Sequence, residues 1–390
     1  MTDPGPISNS PSSSMKPSES RTPALDAIRG IAVLMIVVYH WSHNSMPGGH
    51  GNSDGLYYLS RLTTFGWTGV DLFFVLSGFL IGGIIFDRNK ADNFFKVFYI
   101  RRFLRIVPLY AVLLISFYAI YMLVDISYDH VLMAIFGNPQ PLLTYITFTQ
   151  SPFNVLQGGG NYWLGVTWSL AIEEQFYLLI PLLLTFISNR LIPYLLLLII
   201  LLIPCVREYI WLNFDNAADI NYGTILGRID TLAVGVMLAW VVRNEALGKW
   251  IQMNIALMYL IFFILASGFI VFLHNFWNWN TFDISVWGYS WIAIFYGSLI
   301  LIAYYNPPRI LLWKPLCNIG ISAYSLYLFH RPVGMIVHWS ILGRLQSIKD
   351  LDGILTTFIA GFILLIITLC SWHFIEKPCI SHGHKHKYEL

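Results

Sequence analysis

The stretch ALDAIRGIAVLMIVVYHWSHNS, residues 24–45, is largely apolar and long enough to cross a lipid bilayer, yet it contains Arg29 and His40. About 20 mainly apolar residues suffice for a membrane-spanning helix. Comparable apolar runs follow along the chain, near residues 67–86, 106–126, 163–186, 191–206, 223–243, 251–273, 285–305, 317–339 and 354–376. We therefore predict an all-α polytopic membrane protein with about ten transmembrane helices.

The composition points the same way. Hydrophobic residues make up 56% of the 390 residues and charged residues only 11%, whereas a soluble protein carries about 25% charged residues. So few charges cannot keep a soluble surface of this size hydrated. The net charge of +2 gives a nucleic-acid partner no electrostatic basis. The four cysteines lie in or near apolar runs without CxxC spacing, which favours buried thiols over a disulfide or metal framework.

The chain divides into two polar tails and one membrane domain. Residues 1–22 are rich in Ser and Pro, which predicts a disordered tail, and they lack the features of a secretory signal peptide. Residues 23–380 form the predicted membrane domain, and residues 381–390 a basic tail. With the N-terminus inside, 17 of the 23 lysines and arginines lie in inside segments. The positive-inside rule then places both termini in the cytoplasm and the 127–162 connection outside.

Arg29 and His40 of the first span are eleven residues apart. At 100° per residue they return to within about 20° of one helix face, roughly 16 Å apart along the axis. Ionisable groups at membrane depth are candidates for function. The plainer interpretation is that Arg29 enforces topology and that His40 is an interfacial side chain beside Trp41.

A second basic cluster, Arg101, Arg102 and Arg105, lies in the predicted loop before the third span. These spacings allow the guanidinium groups to converge, and guanidinium groups bind phosphates through two parallel hydrogen bonds. Ordinary positive-inside charge or contact with anionic lipid headgroups would also explain the cluster. Because Arg29 enters the same leaflet, a site for a polyphosphate becomes a hypothesis.

Further ionisable residues occupy four other spans. Glu173 and Glu174 are adjacent on a helix and cannot point the same way, so one is expected to face a cavity and the other a partner helix. For Asp71, Arg228 and Asp230 we favour a buried structural ion pair, with Arg228 joined to either aspartate. The ninth span contributes His330 and Arg331. The C-terminal His382, His384 and His386 lack the further ligands of a metal centre, so no metal site is predicted.

The order of these motifs resembles the membrane-bound acyltransferase-3 family. Arg29 and His40 are similar to its first-helix R-x10-H pattern, and Arg102 with Arg105 to its R-x-x-R motif. Four further segments fit in the expected order: GVDLFFVLSGFLI (69–81), WSLAIEEQFYLL (168–179), SAYSLYLFHRP (322–332) and FIEKP (374–378). Each motif alone is weak, but six in order over about residues 23–380 are specific.

The resemblance implies an integral membrane O-acyltransferase in the plasma (inner) membrane. Its donor would be cytoplasmic acyl-CoA, preferably acetyl-CoA, used as a co-substrate without any bound cofactor. Its acceptor would be a hydroxyl of an extracytoplasmic glycan or lipid-linked saccharide. Besides these substrates, we expect membrane lipids as partners and no nucleic acid. The competing interpretation is a transporter or flippase for a lipid-linked glycan or small solute, because membrane-embedded Arg, Glu and His suit that class as well.

The implied roles fall on a small set of residues. Arg29, Arg102 and Arg105 would bind the phosphates of acyl-CoA. His40 would be the general base, since its unperturbed pKa of about 6.5 suits that task, or it would carry the acyl group covalently. Glu173 would orient the imidazole of His40. Possible supporting residues are Asp71, Glu174, Arg228, Asp230 and His330.

Overall fold

The computed structural model describes residues 22–42, 63–127, 129–158, 160–276 and 280–389. Apart from Thr22, the tail predicted to be disordered lies outside the described residues. The described part consists of helices and their connections, without a β-strand. This confirms the prediction of an all-α protein.

Seventeen α-helices, several of them short, build the described part of the chain. In chain order they are α1 (Pro23–Ser42), α2 (Gly69–Arg88), α3 (Phe94–Tyr121), α4 (His130–Phe136), α5 (Leu142–Ile146), α6 (Gln150–Gln157), α7 (Thr167–Phe186), α8 (Ile192–Asn213), α9 (Ala217–Gly223), α10 (Ile225–Arg243), α11 (Glu245–Met253), α12 (Ile255–Phe276), α13 (Tyr289–Tyr305), α14 (Lys314–Ile321), α15 (Ala323–Leu342), α16 (Leu351–Ser371) and α17 (Lys377–Lys385). Each predicted span overlaps one long helix of this set.

By length and composition, eight helices of the described part could cross a membrane. A ninth candidate is the pair α11–α12, which bends by 78° at its junction. The predicted span at 317–339 is divided between α14 and α15. Helix α15 has 20 residues, but His330, Arg331 and His338 interrupt its apolar character.

Helix α3 begins well before the predicted span at 106–126. The prediction that Arg101, Arg102 and Arg105 occupy a loop is wrong, because α3 already starts at Phe94. Phe94 and Phe98 are buried, and Phe94 also stacks on Tyr388 near the C-terminus. This aromatic packing extends the helix through a segment whose charges had made it resemble a connection.

Glycines let the helices of two pairs approach each other closely: α2 with α10, and α1 with α14. A Cβ atom at Gly78 of α2 would lie 2.1 Å from the carbonyl oxygen of Leu232, and one at Gly235 of α10 would lie 2.1 Å from that of Val75. Such distances admit only glycine, so α2 and α10 cross with their main chains in contact. Gly320 of α14 lies against the main chain of α1 in the same way.

Two buried ion pairs join α10 to its neighbours α2 and α8. Arg228 of α10 pairs with Asp71 of α2, and both side chains are fully buried. Arg207 of α8 lies 3.1 Å from Asp230 of α10 and also donates a 2.5 Å hydrogen bond to Ser290. The structural pair expected for Arg228 is therefore present with Asp71, whereas Asp230 has Arg207 as its partner.

The two ends of the bundle differ. At the end where α3 begins, the last described residues bind its first turns: Asp92 N–H donates to the Glu389 carbonyl at 3.1 Å, and Arg101 donates to that of His386 at 2.7 Å. Helices α4–α6 form the connection at the opposite end. There the indole N–H of Trp339 donates a 2.8 Å hydrogen bond to Asp129, which lowers the pKa of that carboxyl.

Candidate active site

A cavity opens between α1, α2, α3, α7, α14 and α15. It encloses about 920 Å³, its open mouth included, and Arg29, Arg102 and Arg105 all line it. Three helices thus bring the arginines of two separate sequence motifs to one space. Arg102 and Arg105 thus share a space with Arg29, whereas Arg101, the third member of the predicted cluster, does not line it.

The three arginines differ in how their charge is compensated. Arg29 forms a 2.5 Å ion pair with Asp26, one helical turn earlier. Within the described ranges, no carboxylate lies within 4.0 Å of Arg102 or Arg105. The guanidinium of Arg102 lies over the ring of Tyr177, 5.7 Å from its centroid. A cavity with two cations that form no ion pair within the described residues is suited to an anionic ligand.

Arg101 does not join this group. Its Nε and Nη2 atoms donate hydrogen bonds of 3.1 and 2.7 Å to the carbonyl oxygen of His386. Its guanidinium also lies over the ring of Tyr388, 4.9 Å from the centroid. Arg101 therefore binds the C-terminal segment. The sequence alone could not distinguish this role from anion binding.

The adjacent carboxylates Glu173 and Glu174 diverge, as helix geometry predicts. Glu173 lines the cavity together with Ser77 and Tyr177, whose hydroxyls are hydrogen-bonded to each other. Glu174 is not part of the wall. Its Oε1 atom is buried and has no hydrogen-bond partner in the described part of the chain.

His40 pairs with the other histidine of the motif set. Its Nδ1 atom lies 2.8 Å from Nε2 of His330, although 290 residues separate them in sequence. The ring planes differ by 17° and the ring centroids are 5.0 Å apart. Glu173, which we had expected to orient the imidazole, lies on the cavity wall, and His330 occupies the place next to His40 Nδ1.

Tyr327 connects the cavity to the histidine pair. Its side chain lines the cavity, and its hydroxyl lies 2.5 Å from Oγ of Ser169. Its main-chain carbonyl oxygen lies 2.7 Å from Nδ1 of His330. His40 and His330 are not among the residues that line the cavity, and Tyr327 contacts both the cavity and His330.

Arg331 is a candidate that was placed in the ninth span beside His330 from the sequence but was given no role there. Its guanidinium lies over the ring of Tyr162, 5.1 Å from the centroid. No carboxylate of the residues that the structure describes comes within 4.0 Å of it. The signal in the sequence was an arginine within an apolar segment, residues 315–343, that contains no acidic residue. Its neighbour in the chain, His330, contacts His40.

Comparisons with known proteins identify the family of the chain. Residues 22–374 match the family model described as an acyltransferase domain. The chain is 29% identical over 390 residues to the O-acetyltransferase OatA of Staphylococcus aureus, covering 93% of this chain and 58% of that protein. It is 27% identical over 408 residues to the peptidoglycan O-acetyltransferase OatA of Listeria monocytogenes, covering 94% and 57%.

A third relative is the putative peptidoglycan O-acetyltransferase YrhL of Bacillus subtilis, which is 27% identical over 394 residues. The match covers 93% of this chain and 55% of that relative. The chain thus spans little more than half the length of these curated relatives. No solved structure shows a significant match.

Proposed function

Because the chain belongs to the acyltransferase-3 family, we propose that it transfers an acyl group, preferably acetyl, from acyl-CoA to a hydroxyl of an extracytoplasmic glycan. One observation carries this proposal: Arg29, Arg102 and Arg105 line a single cavity together with Tyr327, which contacts His330 of the His40–His330 pair. The names of the relatives, O-acetyltransferases and peptidoglycan O-acetyltransferases, support an acetyl group and a cell-envelope glycan.

The proposed topology puts the arginines at the cytoplasmic side of the plasma membrane. The 17 lysines and arginines of the predicted inside segments support this orientation, with both termini inside. The connection formed by α4–α6 then lies outside. A single cysteine introduced near Gly158 should react with a membrane-impermeant reagent on intact cells. Protection at this position would reverse the orientation.

The donor is proposed to enter at the arginine end. Charge-assisted hydrogen bonds from Arg102 and Arg105 would hold the phosphates of acyl-CoA, and within the described residues neither cation has a carboxylate within 4.0 Å. Arg29 would contribute from the first helix. The pantetheine arm would then extend along the cavity towards Tyr327. His40 lies about three helical turns from Arg29, so the thioester is carried towards the imidazole.

His40 is proposed to act as general base on the acceptor hydroxyl. Its imidazole would take the hydroxyl proton while the oxygen attacks the thioester carbonyl. A general base held in position accelerates this proton transfer. Glu173, on the wall with Arg102, is proposed to balance the charge of the cavity. Asp71, Arg228 and Asp230 support the site by holding α2, α8 and α10 together.

Arg331 is proposed to bind an anionic group of the acceptor. The role is supported because Arg331 lies in a helix next to His330 and, among the described residues, has no carboxylate within ion-pair distance. A guanidinium fork matches a carboxylate or a phosphate in two hydrogen bonds. A glycan acceptor that carries such a group would be oriented with its hydroxyl near His40.

Mass spectrometry of surface glycans tests the proposed activity. Cells that produce the wild-type protein should add one acyl mass per modified sugar, and cells that produce His40→Ala at the same level should not. Movement of a lipid-linked saccharide across the membrane without any acylated product would instead establish the transporter interpretation.

A further inference from the structure

Both ring nitrogens of His330 have defined partners. Its Nδ1 atom lies 2.7 Å from the carbonyl oxygen of Tyr327 and 3.2 Å from that of Leu326, and its Nε2 atom lies 2.8 Å from Nδ1 of His40. A carbonyl oxygen can only accept a hydrogen bond, so Nδ1 of His330 must carry a proton. The side chain is fully buried beside the cation of Arg331. A second positive charge there would be costly, so His330 is assigned as neutral with its Nε2 unprotonated.

This assignment determines the tautomer of His40. An unprotonated Nε2 of His330 can only accept, so the proton in the 2.8 Å bond belongs to Nδ1 of His40. The nearly parallel rings, at 17°, and the centroid distance of 5.0 Å place the bond close to both ring planes, as an imidazole N–H requires. Neutral His40 therefore has its lone pair on Nε2.

We propose that His330 is a positioning residue that fixes His40 in the Nδ1–H tautomer, so that Nε2 of His40 is the atom that takes the acceptor's proton. The inference rests on the proposed acyl transfer. In the serine hydrolase triad a buried aspartate sets the tautomer of the histidine. Here a neutral imidazole, itself oriented by the main-chain carbonyl of Tyr327, performs that task.

The step balances with these groups alone. The hydroxyl O–H bond breaks and its proton moves to Nε2 of His40, while the oxygen forms a bond to the thioester carbonyl carbon. The C–S bond then breaks, and the CoA sulfur leaves with the bonding electron pair. The proton on Nε2 of His40 passes to that sulfur, which restores the starting tautomer. His330 accepts the hydrogen bond from Nδ1 of His40 throughout.

Two substitutions separate positioning from packing. The side-chain oxygen of His330→Gln can reach the place of Nε2 and accept from His40, whereas the amide of His330→Asn reaches only the place of Nδ1. We expect His330→Asn to lower the turnover number of acyl transfer at least about 10²-fold with acyl-CoA affinity unchanged. The turnover number of His330→Gln should be at least about tenfold higher than that of His330→Asn.

The matched control is His338, a second fully buried histidine of α15. Its Nε2 atom lies 3.0 Å from Oγ1 of Thr357, away from His40. His338→Gln and His338→Asn should retain wild-type transfer while they report how the helix tolerates the loss of a buried imidazole. If thermal unfolding shows that the loss of transfer in His330→Asn follows a loss of stability, the positioning role is rejected. Equal transfer by the two His330 variants also rejects it.

Nitrogen-15 NMR of histidine-labelled protein in lipid bilayers reads the tautomer directly. In the wild type, Nδ1 of His40 should be protonated and Nε2 unprotonated, and His330→Asn should populate both tautomers. A proton on Nε2 of neutral wild-type His40 would overturn the inference. This measurement does not depend on enzymatic turnover. If the predicted tautomer is observed but no glycan is acylated, the proposed function is rejected while the pairing of His40 with His330 stands.

Discussion

The charged residues between α2, α8 and α10 differ in their ion pairing from those in and next to the cavity. In the first region, Arg228 faces Asp71 and Arg207 faces Asp230. In the second, Arg102, Arg105 and Arg331 have no carboxylate within ion-pair distance among the described residues. A buried pair that is complete within the protein has no charge left for a ligand, whereas an arginine without one can take its counter-ion from a substrate.

The largest expected effect is on stability in the paired region. Arg228→Leu leaves the Asp71 carboxylate buried without its cation, which should lower the free energy of unfolding by about 3–5 kcal/mol. Thermal unfolding of the detergent-solubilised protein measures this change. The double variant Asp71→Asn, Arg228→Leu removes both charges and should recover part of the loss. Wild-type stability of Arg228→Leu would mean that the paired region does not depend on its ion pairs.

On the cavity side, His40→Ala should remove function rather than stability. A positioned general base contributes about 10²–10⁴-fold, so glycan acylation should fall below detection in most assays. Acyl-CoA affinity should persist, because the arginines line the cavity and His40 does not. Both quantities are to be measured on the same purified protein. Retained transfer would exclude His40 from the chemistry and make His330 the next candidate.

Replacing Arg102 and Arg105 by Gln should weaken acyl-CoA binding without unfolding the protein. Each lost charge-assisted contact should cost about 1.5–3 kcal/mol of binding free energy. Calorimetric titration with acyl-CoA measures this loss. Arg101→Gln is the matched control, because Arg101 binds the main chain of His386 instead. If all three substitutions weaken binding alike, general positive charge and not a defined site explains the cluster.

Arg331→Gln should raise the KM for an anionic acceptor and leave donor affinity unchanged. One lost contact between a guanidinium and an anion should cost about 1.5–3 kcal/mol. Arg331→Lys keeps the charge and should show a smaller increase. The comparison uses saccharides with and without a carboxylate. If turnover falls equally with both kinds of saccharide, Arg331 acts at the reacting centre and not on the acceptor's anion.

The smallest contrast concerns the adjacent carboxylates. Glu173→Gln should reduce glycan acylation more than Glu174→Gln, because only Glu173 lines the cavity. Both substitutions keep the size of the side chain, so differences in packing are minor. Parallel acylation assays at matched expression decide between them. Equal activity of the two variants would contradict the assignment of Glu173.

The sequence predicted the features that depend on local pattern. Apolar runs located the long helices, and the spacing of Arg102 and Arg105 predicted that their guanidinium groups could converge, although both were assigned to a loop. The start of α3 was missed because charged residues interrupt the apolar run, and only packing against Tyr388 shows that the helix continues. Partners across the bundle were also hidden. Nothing near Asp230 in sequence pointed to Arg207, and nothing near His40 to His330, since both contacts depend on tertiary packing.

The position of Tyr327 has a consequence for inhibitors of the proposed reaction. Its side chain lines the arginine-lined cavity, and its carbonyl oxygen accepts a hydrogen bond from His330, whereas His330 and His40 are not among the lining residues. A compound that fills only the cavity would compete with the acyl donor and leave the acceptor side accessible. Its inhibition would be competitive with acyl-CoA and non-competitive with the glycan. A compound that mimics the glycan would show the opposite pattern, so two chemically unrelated inhibitor series could act on one molecule and occupy it together.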